Sequence, residues 1–489
     1  MTRQIRRVGV ALLIAFVILF GMLNYIQVFA ARNIASNPAN IRNILNEYAV
    51  KRGNIVTADG KTVASSKATN DKLKYLRVYP EGELYAHITG YYSLVYGTAG
   101  IEAAYDDQLL GEGGVVSVQD VEDSFLGGGE QGDNVELTID SKLQTLARDA
   151  LGSNEGAIVA LDPNTGDVRA MYANPTYDPN PLASHSPDRQ RRFRGTLDPN
   201  SPTSPLINKA VQTTYPPGST FKIVTAAAAL DSGRYNARST FPDPQALDLP
   251  LTDNTLTNFT RTACLNGTQI DLFTAVEVSC DTTFALLGLK IPQEIASVAE
   301  SLGFNSFVPF DLPTAISTFP RIPDDDAPLR AYAAIGQGNT AASTLQIALV
   351  ASTVANGGVE PRPRLVQAIS DPSGGIVERF APETLRRAFS SETAATLTEM
   401  MTAVVRSGTA TTAQIPGVTV AGKTGTAQTV PGAAPHAWFI AFAPAENPRI
   451  AVAVIVENGG SYGSEATGGA VAAPIAKQMI EADKKNEGW

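Results

Sequence analysis

From Val8 to Ala31 the chain offers little to water, with Asn24 and Gln27 as its clearly polar interruptions. A helix rises about 1.5 Å per residue, so a run of this length crosses a hydrocarbon core about 30 Å thick. This divides the chain into a short tail (1–7), a transmembrane anchor (8–31) and the body that follows. Arg3, Arg6 and Arg7 precede the run and Arg32 is the first cation after it. The positive-inside bias then places the N-terminus in the cytoplasm and exports the body. The competing reading is a cleaved signal peptide, helped by the small residues Ala30 and Ala31. Cleavable apolar regions are about 7 to 15 residues long, which is shorter than this one.

The chain has 489 residues, enough for about three folded units. Hydrophobic residues are 44% and charged residues 18%, a balance that buries a real core. The formal charge of −10 repels phosphate backbones, so no nucleic-acid partner is expected. Three histidines (His87, His185, His436) and two cysteines give a metal few ligands, and no Cys-x-x-Cys or His-Glu-x-x-His spacing occurs. Neither a metal nor a cofactor is expected. Export opens the option of a Cys264–Cys280 disulfide, which would contribute about 3 kcal/mol for so short a loop. Two buried free thiols are the equal alternative.

Asn37 to Glu47 reads as a short helix, and Lys51 to Ala64 as a strand pair around the turn Asp59-Gly60. Glycines 111, 113, 114, 127, 128, 129 and 132 then cluster among acids as a connector. The main junction is expected shortly after it, giving a smaller domain over 32–150 and a larger one over 151–489. The larger one opens with strands Ala157 to Leu161 and Val168 to Ala173 around Asp162-Pro163-Asn164-Thr165-Gly166, after a helix Ser141 to Leu151. Apolar helices follow at Thr220–Leu230, Thr344–Ala355 and Glu392–Val405. A long hairpin of Trp438–Ala443 and Ile450–Val456 precedes a last helix around Ala470–Glu481. Strands at both ends with helices between predict an α/β (α+β) body, one sheet packed by a helical cluster.

Three short motifs can carry chemistry. Tyr215-Pro216-Pro217-Gly218-Ser219-Thr220-Phe221-Lys222 delivers Ser219 to the start of an apolar helix, with Lys222 one turn on as a base for its proton. Read alone, Ser219 is as well explained as an N-cap and Lys222 as a solvated side chain. Ser279-Cys280-Asp281 falls between two helical runs, where a hydroxyl and a carboxylate two residues apart share one side of an extended loop; by itself it is an ordinary turn. Ala421 to Gln428 reads as a strand in which Gly425 admits a close backbone, while Thr424 and Thr426 face the same way beside Lys423. By itself Lys-Thr-Gly also occurs by chance.

In this order the three are the active-serine set Ser-x-x-Lys, Ser-x-Asp/Asn and Lys-Thr-Gly. The chain resembles a class B penicillin-binding protein, a membrane-anchored peptidoglycan D,D-transpeptidase, and most of all the actinobacterial branch. The likeness extends to Pro175-Thr176-Tyr177-Asp178-Pro179-Asn180, Asn208-Lys209-Ala210, Gly336-Gln337-Gly338, Thr344-Leu345-Gln346 and Gly408-Thr409-Ala410. Arg52-Gly53-Asn54-Ile55 and Gly97-Thr98-Ala99-Gly100-Ile101-Glu102, with Tyr105 and Leu110, resemble the family's pedestal. There the usual Asp-Arg is replaced by Thr57-Ala58.

The resemblance implies a transpeptidase fold with a central antiparallel sheet and a helical subdomain, set on a dimerisation-type pedestal. It implies that Ser219 attacks the penultimate D-Ala carbonyl of a stem peptide, that Lys222 takes its proton, and that Ser279 relays it to the leaving amine. The acyl-enzyme then passes to an amine of a neighbouring strand, in wall synthesis during growth or division. Backbone N–H groups of Ser219 and Thr426 would form the oxyanion hole, and Lys423, Thr424 and Thr426 would hold the substrate carboxylate, with Gly425 between them. β-Lactams would acylate Ser219. A separate glycosyltransferase is implied as a partner, since no polymerase region is apparent. Asp281 departs from the commoner Asn; ionised beside Lys222 it favours the ammonium, and Lys423 is expected to offset this by sharing its carboxylate.

A β-lactamase shares the motif set but would be soluble and about half as long, and no Glu-x-x-Leu-Asn element separates Asp281 from Lys423. A catalytically silent scaffold is opposed by the intact Ser219 and Lys222. A Ser-His-Asp hydrolase lacks a Gly-x-Ser-x-Gly elbow, and His436 beside Trp438 is expected to pack or to make a strand-end contact. Asp324-Asp325-Asp326 reads as a solvated loop.

Overall fold

The computed structural model describes residues 2–25, 45–112, 131–250, 252–323, 326–428 and 432–489. Residues 26–31 of the apolar run, 37–44 of the expected short helix, much of the glycine connector and Asp324-Asp325 lie outside these. The helix Thr2–Asn24 is long and apolar enough to cross a membrane from Arg3 onward.

Five strands form the central antiparallel sheet in the order Ala421–Ala427, His436–Ala443, Ile450–Val456, Gly156–Leu161, Val168–Asn174. The three inner strands are buried at every residue, which explains runs such as Ile450 to Val456 that do not alternate. Helices cover both faces. Ser141–Leu151 and Ala473–Glu487 lie on one, Thr344–Ala355 and Ser391–Arg406 on the other. Each of the last two starts at a serine whose hydroxyl accepts an orphan N–H: Ser343 from Gln346, Ser390 from Thr393. The hairpin, the closing helix and the paired opening strands follow the sequence reading closely.

Ser141–Leu151 precedes the expected junction, yet it packs on the strand Val168–Asn174 and on the C-terminal helix. The second sheet also mixes the two parts. Its order is Ile376–Arg379, Val366–Ser370, Asn134–Leu137, Ile55–Val56, Thr62–Ala68, Tyr75–Val78. The pedestal hairpin turns at Asp59-Gly60, with Gly60 at φ +81°. Thr57, where the family resemblance fails, donates its hydroxyl to Asp59 and accepts from the Lys61 N–H. Asp59 in turn takes both the hydroxyl and the N–H of Ser141.

The pedestal's core holds one carboxylate between two guanidinium groups. Glu102 is fully buried, with Arg52 Nε and Arg77 Nε each 2.6 Å from its oxygens and the Tyr79 hydroxyl at 3.1 Å. Burial alone would raise its pKa, but Arg77 and Arg52 together hold it below the usual value.

Candidate active site

Ser219 lies on a single 3-10 turn, Gly218–Phe221, that runs into the α-helix Lys222–Asp231. Neither start carries a side-chain cap, and residues 217 and 221 occupy the capping positions, so Ser219 is not the N-cap that the sequence alone allowed. The turn is held from outside. Trp438 Nε1 donates to Pro216 O at 3.0 Å, the Gly218 N–H donates to Gly336 O at 3.0 Å, and Tyr215 pairs with Ala342. Gly218 has φ +53°, and a methyl group there would stand 2.9 Å from Thr426 O. The Ser219 turn and the Lys-Thr-Gly strand are thus in backbone contact.

Lys222 is completely buried rather than solvated. Its Nζ reaches Asp281 Oδ1 at 2.7 Å, Ser279 O at 2.7 Å and Ser279 Oγ at 3.3 Å. Lys423, also fully buried, reaches the same Ser279 Oγ at 2.8 Å and Thr424 O at 3.0 Å. One hydroxyl therefore bridges two amines. Two unit charges about 6 Å apart repel by about 3 kcal/mol at an effective dielectric near 20, and each buried ion also loses several kcal/mol of hydration. A single carboxylate, Asp281, pairs with Lys222 and acts on Lys423 only through the longer-range field. Burial lowers the Lys222 pKa against the opposing pull of Asp281, and burial followed by the Lys222 charge carries that of Lys423 well below the ordinary lysine value. A neutral Lys222 keeps two N–H groups for Asp281 Oδ1 and Ser279 O, which leaves its one lone pair to accept a proton.

Two expectations change here. Ser279 and Asp281 do not share an extended loop: Ser279 takes φ +62°, Cys280 occupies the N-cap position without a side-chain cap, and Asp281 opens the helix Asp281–Lys290. Both still meet Lys222, because the left-handed residue folds the chain back before the helix begins. Nor does Lys423 share the Asp281 carboxylate; the second oxygen, Oδ2, accepts the N–H of Phe259 at 3.1 Å.

The strand Ala421–Ala427 is an edge strand, paired on one side to His436–Ala443. Gly425 is hemmed by the Ser219 turn: a methyl there would meet Pro217 O and the Thr220 side chain at Cγ2, each at 2.9 Å. The Thr424 hydroxyl lies 2.6 Å from that of Thr409, and Thr426 Oγ1 accepts the Gly468 N–H at 3.4 Å. The sequence shows Gly408-Thr409-Ala410 as part of the family likeness but carries no local sign that Thr409 belongs to the site.

Several supports surround the second motif, and the disulfide among them is one of the two alternatives the sequence left open. Cys264 and Cys280 are joined as a disulfide, tying the middle residue of Ser-x-Asp to a neighbouring loop. Asp243 accepts four consecutive N–H groups, Cys264 to Gly267, and fixes that loop. Asn258 accepts the Thr282 N–H. Behind Ser219, the Tyr215 hydroxyl donates to Glu457 Oε1 at 2.7 Å, and Lys209 bonds the same oxygen at 2.7 Å. His436 Nδ1 accepts the Asn458 N–H and its ring meets Tyr215 edge-on, a strand-end contact as expected. Asp326 caps the helix Ala327–Ala333.

Residues 156–481 match the penicillin-binding protein transpeptidase domain, and residues 52–135 match the penicillin-binding protein A dimerisation domain. The chain belongs to the penicillin-binding protein transpeptidase family. It is 41% identical to the peptidoglycan D,D-transpeptidase PbpA of Mycolicibacterium smegmatis over 99% of both chains, and 40% identical to PbpA of Mycobacterium tuberculosis over 100% of both. The crystal structure of penicillin-binding protein A from M. tuberculosis as a ceftriaxone acyl-enzyme matches with a TM-score of 0.84 at 39% identity, over 90% of this chain and 99% of that one. Its penicillin G acyl-enzyme matches with a TM-score of 0.83 at 39% identity, over 88% and 99%. The fold and family implied by the three motifs are borne out.

Proposed function

We propose that this protein is a serine-type peptidoglycan D,D-transpeptidase that cross-links stem peptides through an acyl-enzyme on Ser219. The observation that carries the reading is the chain of contacts from Lys222 through Ser279 Oγ to Lys423, converging beside the Ser219 turn from a helix, an interhelical turn and an edge strand. Neutral Lys222 takes the Ser219 proton as Oγ attacks the penultimate D-Ala carbonyl. Ser279, hydrogen-bonded to both amines, returns a proton to the departing D-Ala amine. The N–H groups of Ser219 and Thr426 stabilise the oxyanion, a role commonly contributing about 10² to 10³ in rate per donor. Thr424 and Thr426 bind the terminal carboxylate, with the Lys423 amine behind them and Gly425 keeping the strand against the nucleophile turn. Asp281 holds Lys222 and the Phe259 backbone in register.

A β-lactam acylates Ser219 as an analogue of the D-Ala-D-Ala end, a reading supported by the acyl-enzymes of the M. tuberculosis relative. The helix Thr2–Asn24 anchors the protein with its N-terminus in the cytoplasm, where Arg3, Arg6 and Arg7 remain, and with the catalytic body outside. Residues 1–7, 8–31, 32–150 and 151–489 serve as tail, anchor, pedestal and catalytic domain. Glycan polymerisation falls to a separate glycosyltransferase.

The test is to incubate the full-length protein in detergent with a pentapeptide stem ending in D-Ala-D-Ala and a second stem carrying a free amine. The proposal expects one free D-Ala per cross-linked product. Free D-Ala without cross-links identifies a carboxypeptidase, and the absence of both products contradicts the assignment.

A further inference from the structure

In an acidic chain, two adjoining elements expose a cluster of cations. The hairpin joining Thr62–Ala68 to Tyr75–Val78 exposes Lys67, Lys72 and Lys74, and the helix Pro187–Thr196 exposes Arg189, Arg191 and Arg192. His185 joins these two elements, with Nδ1 2.6 Å from Asp71 Oδ2 and Nε2 3.0 Å from Tyr75 O. The only acids of 67–75 and 186–196 are Asp71 and Asp188. Asp188 pairs with Arg191 at 3.1 Å between two exposed side chains, a contact of little strength. Among the described residues, Lys67, Lys72, Lys74, Arg189 and Arg192 make no ion pair. Six exposed cations and the half-buried Arg194 against two acids in these stretches, in a chain of net charge −10, make a concentrated patch.

The patch is rigidly displayed. Gln190, the buried residue of the arginine helix, accepts from the Ser93 hydroxyl at 2.7 Å and from the Val95 N–H at 3.0 Å. The patch also sits where the anchor's chain joins the body. The His185 ring lies 5.9 Å from that of Tyr48, which stacks on Tyr92 at 4.5 Å. Tyr48 follows Asn24, the end of the apolar helix, by 24 residues, a tether of at most about 80 Å. A tether of this kind keeps the patch at high effective concentration beside the bilayer.

We propose that this face docks on anionic phospholipid headgroups of the membrane that holds the helix, a proposal that rests on the anchoring reading above. Guanidinium groups bind phosphate bidentately, and a basic cluster held beside a bilayer is drawn to anionic headgroups in the leaflet it faces, here the outer one, within about a Debye length, near 10 Å at 0.1 M salt. Docking holds the pedestal down and so fixes the catalytic body's orientation to the bilayer.

The experiment places the full-length protein in nanodiscs of phosphatidylcholine alone or of phosphatidylcholine with phosphatidylglycerol, and reads backbone hydrogen exchange over 67–75 and 186–196. The expected result is several-fold slower exchange in the anionic discs, lost at high salt. It is also lost in the triple variant Lys72→Glu, Arg189→Glu, Arg192→Glu, whose fluorescent penicillin labelling stays unchanged. Equal exchange in both discs, or protection that survives in the triple variant, overturns the proposal. So does protection produced by soluble polyphosphate in neutral discs but not by phosphatidylglycerol. Failure to co-purify with either disc overturns the anchor reading and this proposal together, whereas co-purification with equal exchange overturns this proposal alone.

Discussion

Lys222 Nζ lies 2.7 Å from Asp281 Oδ1, inside a site where the lysine has no contact with solvent. Burial lowers the lysine's pKa and the carboxylate pulls it back up. The sign of a test follows. Asp281→Asn removes the charge that favours the ammonium, so Lys222 becomes a free base at lower pH. The rising, acid-side limb of the penicillin acylation rate is expected to move to lower pH while acylation itself is retained. An unchanged limb in stopped-flow acylation would show that Asp281 does not act on Lys222.

Gly425→Ala adds a methyl 2.9 Å from both Pro217 O and Thr220 Cγ2 and 3.0 Å from Trp438 Cβ. The Pro217 contact is backbone and cannot yield alone, so the strand must move away from the Ser219 turn. Acylation is expected to slow by about 10² or more, the scale of losing one oxyanion donor, with a lower thermal midpoint from overpacking that costs about 1 to 3 kcal/mol. A fully active variant would place the oxyanion site elsewhere.

Glu102→Gln leaves Arg52 and Arg77 buried without their shared carboxylate. Breaking a buried pair in this way costs about 3 to 5 kcal/mol, measurable as a lower urea midpoint. Because the Glu102 pKa is depressed, wild type holds this stability above the ordinary glutamate value of 4.5 and loses it as pH falls through the folded-state pKa. The variant's deficit should therefore shrink in acid. A deficit independent of pH would mean that the charge is not what stabilises.

The disulfide spans 16 residues. Replacing both cysteines by serine is expected to lower stability by about 3 kcal/mol on the loop-entropy account, read from the urea midpoint under oxidising conditions. No change would mean that Asp243 and its four N–H donors hold the loop by themselves.

Much of this was legible in the sequence because the strongest signals are local. Ile450–Val456 and Thr344–Ala355 are apolar runs of fixed length, and the three motifs are contiguous in the chain. What was not legible depends on residues far apart in sequence. Nothing local shows that Lys423 meets Ser279 across 144 positions instead of meeting Asp281, or that Thr409 meets Thr424. The left-handed φ of Ser279 was hidden as well, since serine carries no signal for it as glycine does. Ser141–Leu151 shows the same limit at the scale of domains: its pattern fixed its ends but not the sheet it covers.

The most direct test of the account is to trap the full-length protein with penicillin, digest it and locate the adduct by mass spectrometry, with Ser219→Ala alongside. The account predicts a single penicilloyl group on Ser219 and none in the variant. An adduct on any other residue, or equal labelling of Ser219→Ala, would contradict it.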